Sequence, residues 1–245
     1  MAVMLRFDCF RNLPSVASLV TTRGGGVSLA PYESLDAALH VGDDPRSVEI
    51  NRAIIARELG VDCVVYMNQI HGDRIVLIDK PPPTPPECDA MISNQPNIAL
   101  AVLSADCVPL LFFDPVNRAI GAAHAGWRGS AALIAVKTIE AMRDRFGSKP
   151  SDIIAGIAPA ICGKCYEVKD AVKNEWRKLP DYLRIALKDN RLDLPLANRL
   201  QLNAIGVLDR NIETMPLCTY ENDDFFSYRR ANPTGRFASI IALRS

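Results

Sequence analysis

Two apolar runs, Ile98 to Leu103 and Val108 to Phe113, are separated only by Ser104-Ala105-Asp106-Cys107. Runs this short and this apolar read as strands buried on both faces. The gap is too short for the helical crossover that joins parallel neighbours, which takes about a dozen residues or more. Cys63 to Met67 and Ile75 to Ile78 are close in the same way, and a further strand is expected over Arg118 to His124. A purely parallel, doubly wound sheet is therefore excluded. The expected fold is α/β (α+β), a single layered domain over residues 1–245 with a mixed sheet flanked by helices.

The helices announce their ends. Asp43-Asp44-Pro45 places carboxylates at a cap and proline in the first turn, and Gly60 follows Leu59, which predicts a helix over 45–59. Ala135, Ile139, Met142 and Phe146 form a stripe spaced by four, three and four, predicting a helix from Ser130 to Phe146 before Gly147. Further helices are expected over Val168 to Leu179 and Leu194 to Ile205, and strands over Ile153 to Ala158 and Phe237 to Leu243. Pro81 to Pro86, five prolines in six residues, can form neither helix nor central strand and reads as an extended surface loop.

Lys+Arg and Asp+Glu both number 28, so no excess positive charge draws the chain to nucleic acid or to an anionic membrane surface. No uninterrupted apolar segment approaches the ~18 residues of a membrane span, and the N-terminus lacks a signal-peptide pattern. The expectation is a cytoplasmic protein with a small-molecule substrate; no obligate protein partner is indicated. Seven cysteines cannot all pair, so reduced thiols are expected.

Chemistry concentrates in three phrases: Gln69-Ile70-His71-Gly72, Ala105-Asp106-Cys107 and His124-Ala125-Gly126-Trp127-Arg128-Gly129. Each falls between predicted elements. One thiolate and two imidazoles suffice for a catalytic metal with one position left open, and such borderline-to-soft donors suit zinc or copper rather than magnesium or calcium. Asp106, beside Cys107, is placed to orient a ligating histidine. Backbone N–H groups at a helix start after Gly126, with Arg128, would suit an anion such as phosphate; the alternative is that the glycines merely turn the chain and Arg128 pairs with a carboxylate. Arg23, in Thr21-Thr22-Arg23-Gly24-Gly25-Gly26, and Arg229 are further anion candidates, although the former phrase lacks the Walker lysine. Cys162-Gly163-Lys164-Cys165 has no second CxxC and reads as two ordinary thiols in a turn.

Taken together, these phrases resemble the YfiH-like family, described both as a multicopper polyphenol oxidase or laccase-domain family and as a purine nucleoside phosphorylase family. Thr21 to Gly25, Cys218-Thr219, Phe225 to Arg230 and Thr234-Gly235-Arg236 extend the likeness over nearly the whole chain. The resemblance implies that His71, Cys107 and His124 bind zinc, or copper in some descriptions. It also implies phosphorolysis of adenosine, inosine, guanosine and methylthioadenosine, with adenosine deamination alongside. The implied partners are purine nucleosides and phosphate. Two rivals follow from the same residues: a copper-dependent polyphenol oxidase, for which three histidines are too few to build a multicopper centre, and a metal-free cysteine hydrolase using Cys107 as nucleophile and His124 as base. Asp36, Ala158 and Cys162 depart from the family's usual phrases, which touches substrate preference more than metal binding.

Overall fold

The computed structural model describes residues 4–244. Strands β1 (Met4–Leu5), β2 (Val16–Thr21), β3 (Cys63–Tyr66), β6 (Ile98–Ser104) and β13 (Phe237–Leu243) form a five-stranded sheet in the order β1-β2-β13-β6-β3. A six-stranded sheet, ordered β12-β9-β7-β8-β5-β4, is built from β4 (Ile75–Leu77), β5 (Ala90–Ser93), β7 (Val108–Asp114), β8 (Ala119–Ala125), β9 (Ile154–Ile157) and β12 (Ile212–Thr214). Both sheets are mixed: β3 runs parallel to β6, β4 to β5 and β12 to β9, and the other pairs are antiparallel. The sequence predicts one mixed sheet; the chain makes two and packs them face to face.

Side-chain parity shows why. Val102 of β6 and Ile241 of β13 meet Leu111 and Phe113 of β7 and Ile120 and Ala122 of β8 in one apolar layer between the sheets. Alternate residues point away from it. Ala99, Ala101, Leu103 and Ile240 pack with Ile55 and Leu59 of α2 (Pro45–Leu59), whereas Leu110, Phe112 and Ala123 pack with α4 (Ile134–Phe146) and α7 (Leu194–Ile205). Helix, sheet, sheet and helix thus form four layers. Each central strand is buried on both faces, which accounts for the unbroken apolar runs.

The predicted helix over 45–59 ends where expected. The Asp44 carboxylate accepts hydrogen bonds from the Arg46 and Ser47 N–H groups, and Gly60 adopts a left-handed φ of 76°. The helix predicted over 130–146 is divided: α3 (Trp127–Ala131) stops, and Leu133, at φ 62° and ψ 40°, turns the chain into α4. The remaining elements are α1 (Asp8–Arg11), α5 (Asp170–Trp176), α6 (Asp181–Arg184), the hairpin β10 (Leu187–Lys188) and β11 (Arg191–Leu192), and 3-10 turns at Pro150–Asp152 and Asp209–Asn211. Among the described residues, no helix is long and apolar enough to cross a membrane.

The link that matters for the site is the shortest. β6 ends at Ser104 in one sheet and β7 begins at Val108 in the other, so the intervening residues form a step between sheets rather than a hairpin. Asp106 takes a φ of 102° to make that step. The Ser104 hydroxyl closes it, donating to the Cys107 carbonyl at 2.6 Å. Cys107 therefore sits where the two sheets part.

Candidate metal centre

His71, Cys107 and His124 converge at this parting, with one donor atom from each lying within 4.8 Å of the other two. Each arrives by a different route. His124 shares the inter-sheet face of Ile120 and Ala122 on β8, one residue before the strand ends. Cys107 comes from the step between sheets, and His71 from the loop between β3 and β4, where it holds a φ of 59°. The His71 loop is fastened by Gln69, whose amide donates to the Leu103 carbonyl at 2.9 Å and accepts from the Leu103 N–H at 2.8 Å. The two imidazoles lie edge to face, 4.9 Å between ring centroids at 88°.

Asp89 organises this cluster. Its side chain is fully buried, and Oδ1 accepts from the His71 backbone N–H at 3.0 Å and lies 2.9 Å from His124 Nδ1, while Oδ2 accepts from the Gly72 N–H at 2.7 Å. The contact to Nδ1 leaves His124 Nε2 as its free donor atom, the arrangement in which a carboxylate fixes a ligating imidazole. Asp106, expected in that role, does something else: its oxygens accept from the Thr219 hydroxyl and the Arg229 backbone N–H, each at 2.7 Å. With the left-handed turn at Asp106, its carboxylate is engaged by the C-terminal segment. Asp89 carries no sequence signal of its own, since it is 18 residues from His71 and 35 from His124.

The glycines of the third phrase are set by close approach. A Cβ at Gly126 would lie 3.1 Å from Cys107 Sγ, and one at Gly129 would lie 3.0 Å from the Gly72 carbonyl. They let the strand end pass close to the thiol and to the His71 loop.

Burial opposes ionisation of Cys107, but the charge of His124 and hydrogen bonds from both imidazoles outweigh it and bring the thiol down to about 6. Burial likewise opposes protonation of His124, yet the Cys107 charge and the Asp89 hydrogen bond lift it to about 9. A half-buried thiolate and an imidazole with its second nitrogen fixed are the donors a soft or borderline cation selects. The set fits zinc or copper and has no carboxylate to attract magnesium or calcium.

A cavity of about 520 Å³ opens beside the three residues. Its lining includes the apolar or aromatic Leu103, Ile161, Tyr166, Leu194 and Tyr228 and the basic His40, Arg229 and Arg236, with Arg229 over the Tyr166 ring at 5.2 Å and Arg236 over the Tyr228 ring at 5.9 Å. Of the three arginines expected at the site, only Arg229 reaches the cavity. Arg23 donates from Nε to the Glu33 carbonyl at 3.0 Å and pairs with the Glu33 carboxylate at 3.1 Å, so it closes its own glycine-rich loop. Arg128 stacks over Trp127 at 4.3 Å and is exposed, and the five-residue helix that begins there offers only a single turn. Sequence reasoning missed Arg236 and His40. All three histidines of the chain line the cavity, a coincidence that the third histidine alone could have signalled.

Residues 17–244 match the family model described as multi-copper polyphenol oxidoreductase laccase. The chain belongs to that family. A protein of Streptomyces coelicolor named purine nucleoside phosphorylase SCO2081 is 42% identical over 229 residues, covering 91% of this chain and 93% of the relative. Purine nucleoside phosphorylase YlmD of Bacillus subtilis is 36% identical and covers 96% of this chain and 91% of its own length. Among solved structures, YlmD from Geobacillus stearothermophilus superposes with a TM-score of 0.92 at 35% identity, covering 99% of this chain and 96% of that one. The YfiH protein of Bacillus licheniformis gives 0.90 at 37%, covering 97% of this chain and all of that one.

Proposed function

We propose that the protein is a metal-dependent purine nucleoside phosphorylase, acting on adenosine, inosine, guanosine and methylthioadenosine, with adenosine deamination as a side activity of the same pocket. The observation that carries this reading is the juxtaposition, in one cavity, of the His71-Cys107-His124 donor set, two aromatic rings and two arginines. Relatives at about this level of identity carry the phosphorylase name. His71, Cys107 and His124 hold zinc, with copper the alternative ion, and the ion supplies Lewis acidity beside the reacting groups.

The remaining roles belong to the chain. Phosphorolysis breaks the bond between C1′ and the purine nitrogen, forms a bond from C1′ to a phosphate oxygen, and leaves the base with the electron pair and a proton. Arg236 and Arg229 hold the phosphate by charge and hydrogen bonds. Arg236 is anchored to the Thr234 carbonyl at 2.8 Å and Arg229 to the Glu167 carbonyl at 3.0 Å, so neither has to be ordered at the moment of reaction. Burial, then the charges of Arg236 and Arg52, lower the His40 pKa, so a neutral imidazole is available to accept a hydrogen bond from phosphate or ribose. Tyr166 and Tyr228, whose rings carry the guanidinium groups of Arg229 and Arg236 at 5.2 and 5.9 Å, supply apolar wall for the base.

A second reading has one observation in its favour. Asp89, His124 and Cys107 are in line as orienting carboxylate, base and nucleophile, the order used by cysteine hydrolases. It leaves the nearby His71 without a task. The polyphenol oxidase reading suffers from histidine supply, because three imidazoles cannot ligate several coppers. Phosphorus NMR on metal-loaded protein with inosine and phosphate distinguishes these. A new sugar-phosphate ester formed in step with hypoxanthine supports phosphorolysis; free base without the ester would replace it with hydrolysis.

A further inference from the structure

A second group of metal-ligating side chains lies outside the nucleoside site. Cys162 and Cys165 were expected to be ordinary thiols in a turn, yet they meet Cys218 and Glu221, and the four donor atoms all lie within 4.8 Å of one another. The four come from two short segments with the same spacing of three. In the first, the N–H groups of Cys165 and Tyr166 both donate to the Cys162 carbonyl at 3.0 Å, folding the CxxC into a tight turn. In the second, the Asn222 N–H donates to the Cys218 carbonyl at 3.0 Å. The segments are joined by a parallel bridge between Ala160 and Cys218, with the Thr219 N–H donating to the Ala160 carbonyl at 3.1 Å.

We propose that Cys162, Cys165, Cys218 and Glu221 form a structural zinc site that staples the 160–166 loop to the 218–221 turn. Four protein ligands close a tetrahedral site, which separates this cluster from the three-ligand set with its open position. Sulfurs on one zinc lie roughly 3.8 Å apart, given bonds of about 2.3 Å, so side-chain rotations that close the donor separations by at most about 1 Å bring them into place. The Cys162 N–H points at Cys218 Sγ at 3.3 Å, a donor aimed at sulfur of the kind that stabilises a ligating thiolate. Cys162 Sγ lies 4.0 Å from Glu221 Oε2. A disulfide would employ two of these sulfurs and leave the third thiol and the carboxylate unexplained. Binding displaces the three thiol protons to solvent, leaving three thiolates and one carboxylate on the cation. Arg230 offsets part of the resulting negative charge from beside the turn, where it donates to the Thr219 carbonyl at 2.7 Å and the Tyr220 carbonyl at 3.0 Å.

The staple would brace the nucleoside site from outside. Ile161 and Tyr166 of the first segment line the cavity, and the Ile161 N–H donates to the Asp106 carbonyl at 3.0 Å. Thr219 of the second holds the Asp106 carboxylate at 2.7 Å.

The test uses the full chain with Cys107→Ala, which removes the thiolate of the other site. Elemental analysis of that protein, purified in reductant, is expected to show about one zinc per chain, falling to none when Cys165→Ala is added. A second measurement needs no change to the cluster: alkylation followed by peptide mass analysis is expected to find Cys162, Cys165 and Cys218 protected until a chelator is added. A zinc-free Cys107→Ala protein, equal alkylation before and after chelation, or a disulfide among the three cysteines in reductant would each overturn the proposal.

Discussion

Asp89 shows how much a single buried carboxylate can set. It accepts from two successive backbone N–H groups of the His71 loop and contacts the His124 ring, so one side chain positions two of the three donors. Asp89→Asn keeps the shape but gives up an acceptor and turns an amide N–H₂ towards backbone donors. Metal affinity, measured by competition with a chromophoric chelator, is expected to fall roughly 10- to 100-fold; an unchanged affinity would show that the loop holds His71 without help. The arginines divide in the same way. Arg236→Ala is expected to raise the phosphate requirement and cost about 2–4 kcal/mol in transition-state stabilisation. Arg128→Ala, which removes an exposed guanidinium stacked on Trp127, is expected to change phosphate kinetics little. Steady-state rates over a phosphate series for both variants check the pair, and the reverse ranking would return the anion to the α3 terminus.

At the scale of elements, the helix with complete end signals was fully legible: Asp44, Pro45 and Gly60 mark α2, and the structure agrees to the residue. α7 and β13 likewise lie where their apolar patterns place them. The apolar stripe behind α4 was read correctly, but the break at Leu133 was not, because a leucine at φ 62° leaves no mark in a sequence where glycine would. β2 and β5 are absent from the predicted strands although turn residues flank both, Pro14 and Gly24 to Gly26 around β2 and Pro86 and Asn94 to Pro96 around β5, and sheet number was not legible because strands buried on both faces look alike in one sheet or two. The site followed the same division. The three donors stood out as residue types in short phrases of small residues, whereas Asp89 and Arg236 acquire their meaning only from the fold. At this scale Asp44→Ala, removing two cap hydrogen bonds from α2, is expected to lower the midpoint of urea unfolding.

For the whole molecule, Asp36 couples stability to pH. It is fully buried, and Oδ1 accepts from the Arg236 N–H at 2.7 Å and the Ala38 N–H at 3.1 Å, but Oδ2 has no partner. Burial, opposed by those backbone hydrogen bonds, raises its pKa from 3.8 to about 6. A carboxyl raised in the native state favours folding when protonated. Its contribution is complete below the unfolded value, about 4, and is lost as pH rises through about 6. The loss is on the order of 3 kcal/mol across that window. Asp36→Asn is therefore expected to gain stability relative to the parent between pH 4 and pH 7.5, as about that change in the difference between their urea-unfolding free energies. A difference that stays constant with pH would mean that Asp36 is ionised throughout.

The central claim is that one cavity joins the His71-Cys107-His124 donors to phosphate held by Arg236 and Arg229. Its most direct test is the initial rate of adenine release from adenosine as phosphate is titrated, compared between the metal-loaded parent and Cys107→Ala. The account predicts saturable, phosphate-dependent release in the parent and its loss in Cys107→Ala. Adenine release that ignores phosphate, or that proceeds at the parental rate in Cys107→Ala, would contradict it.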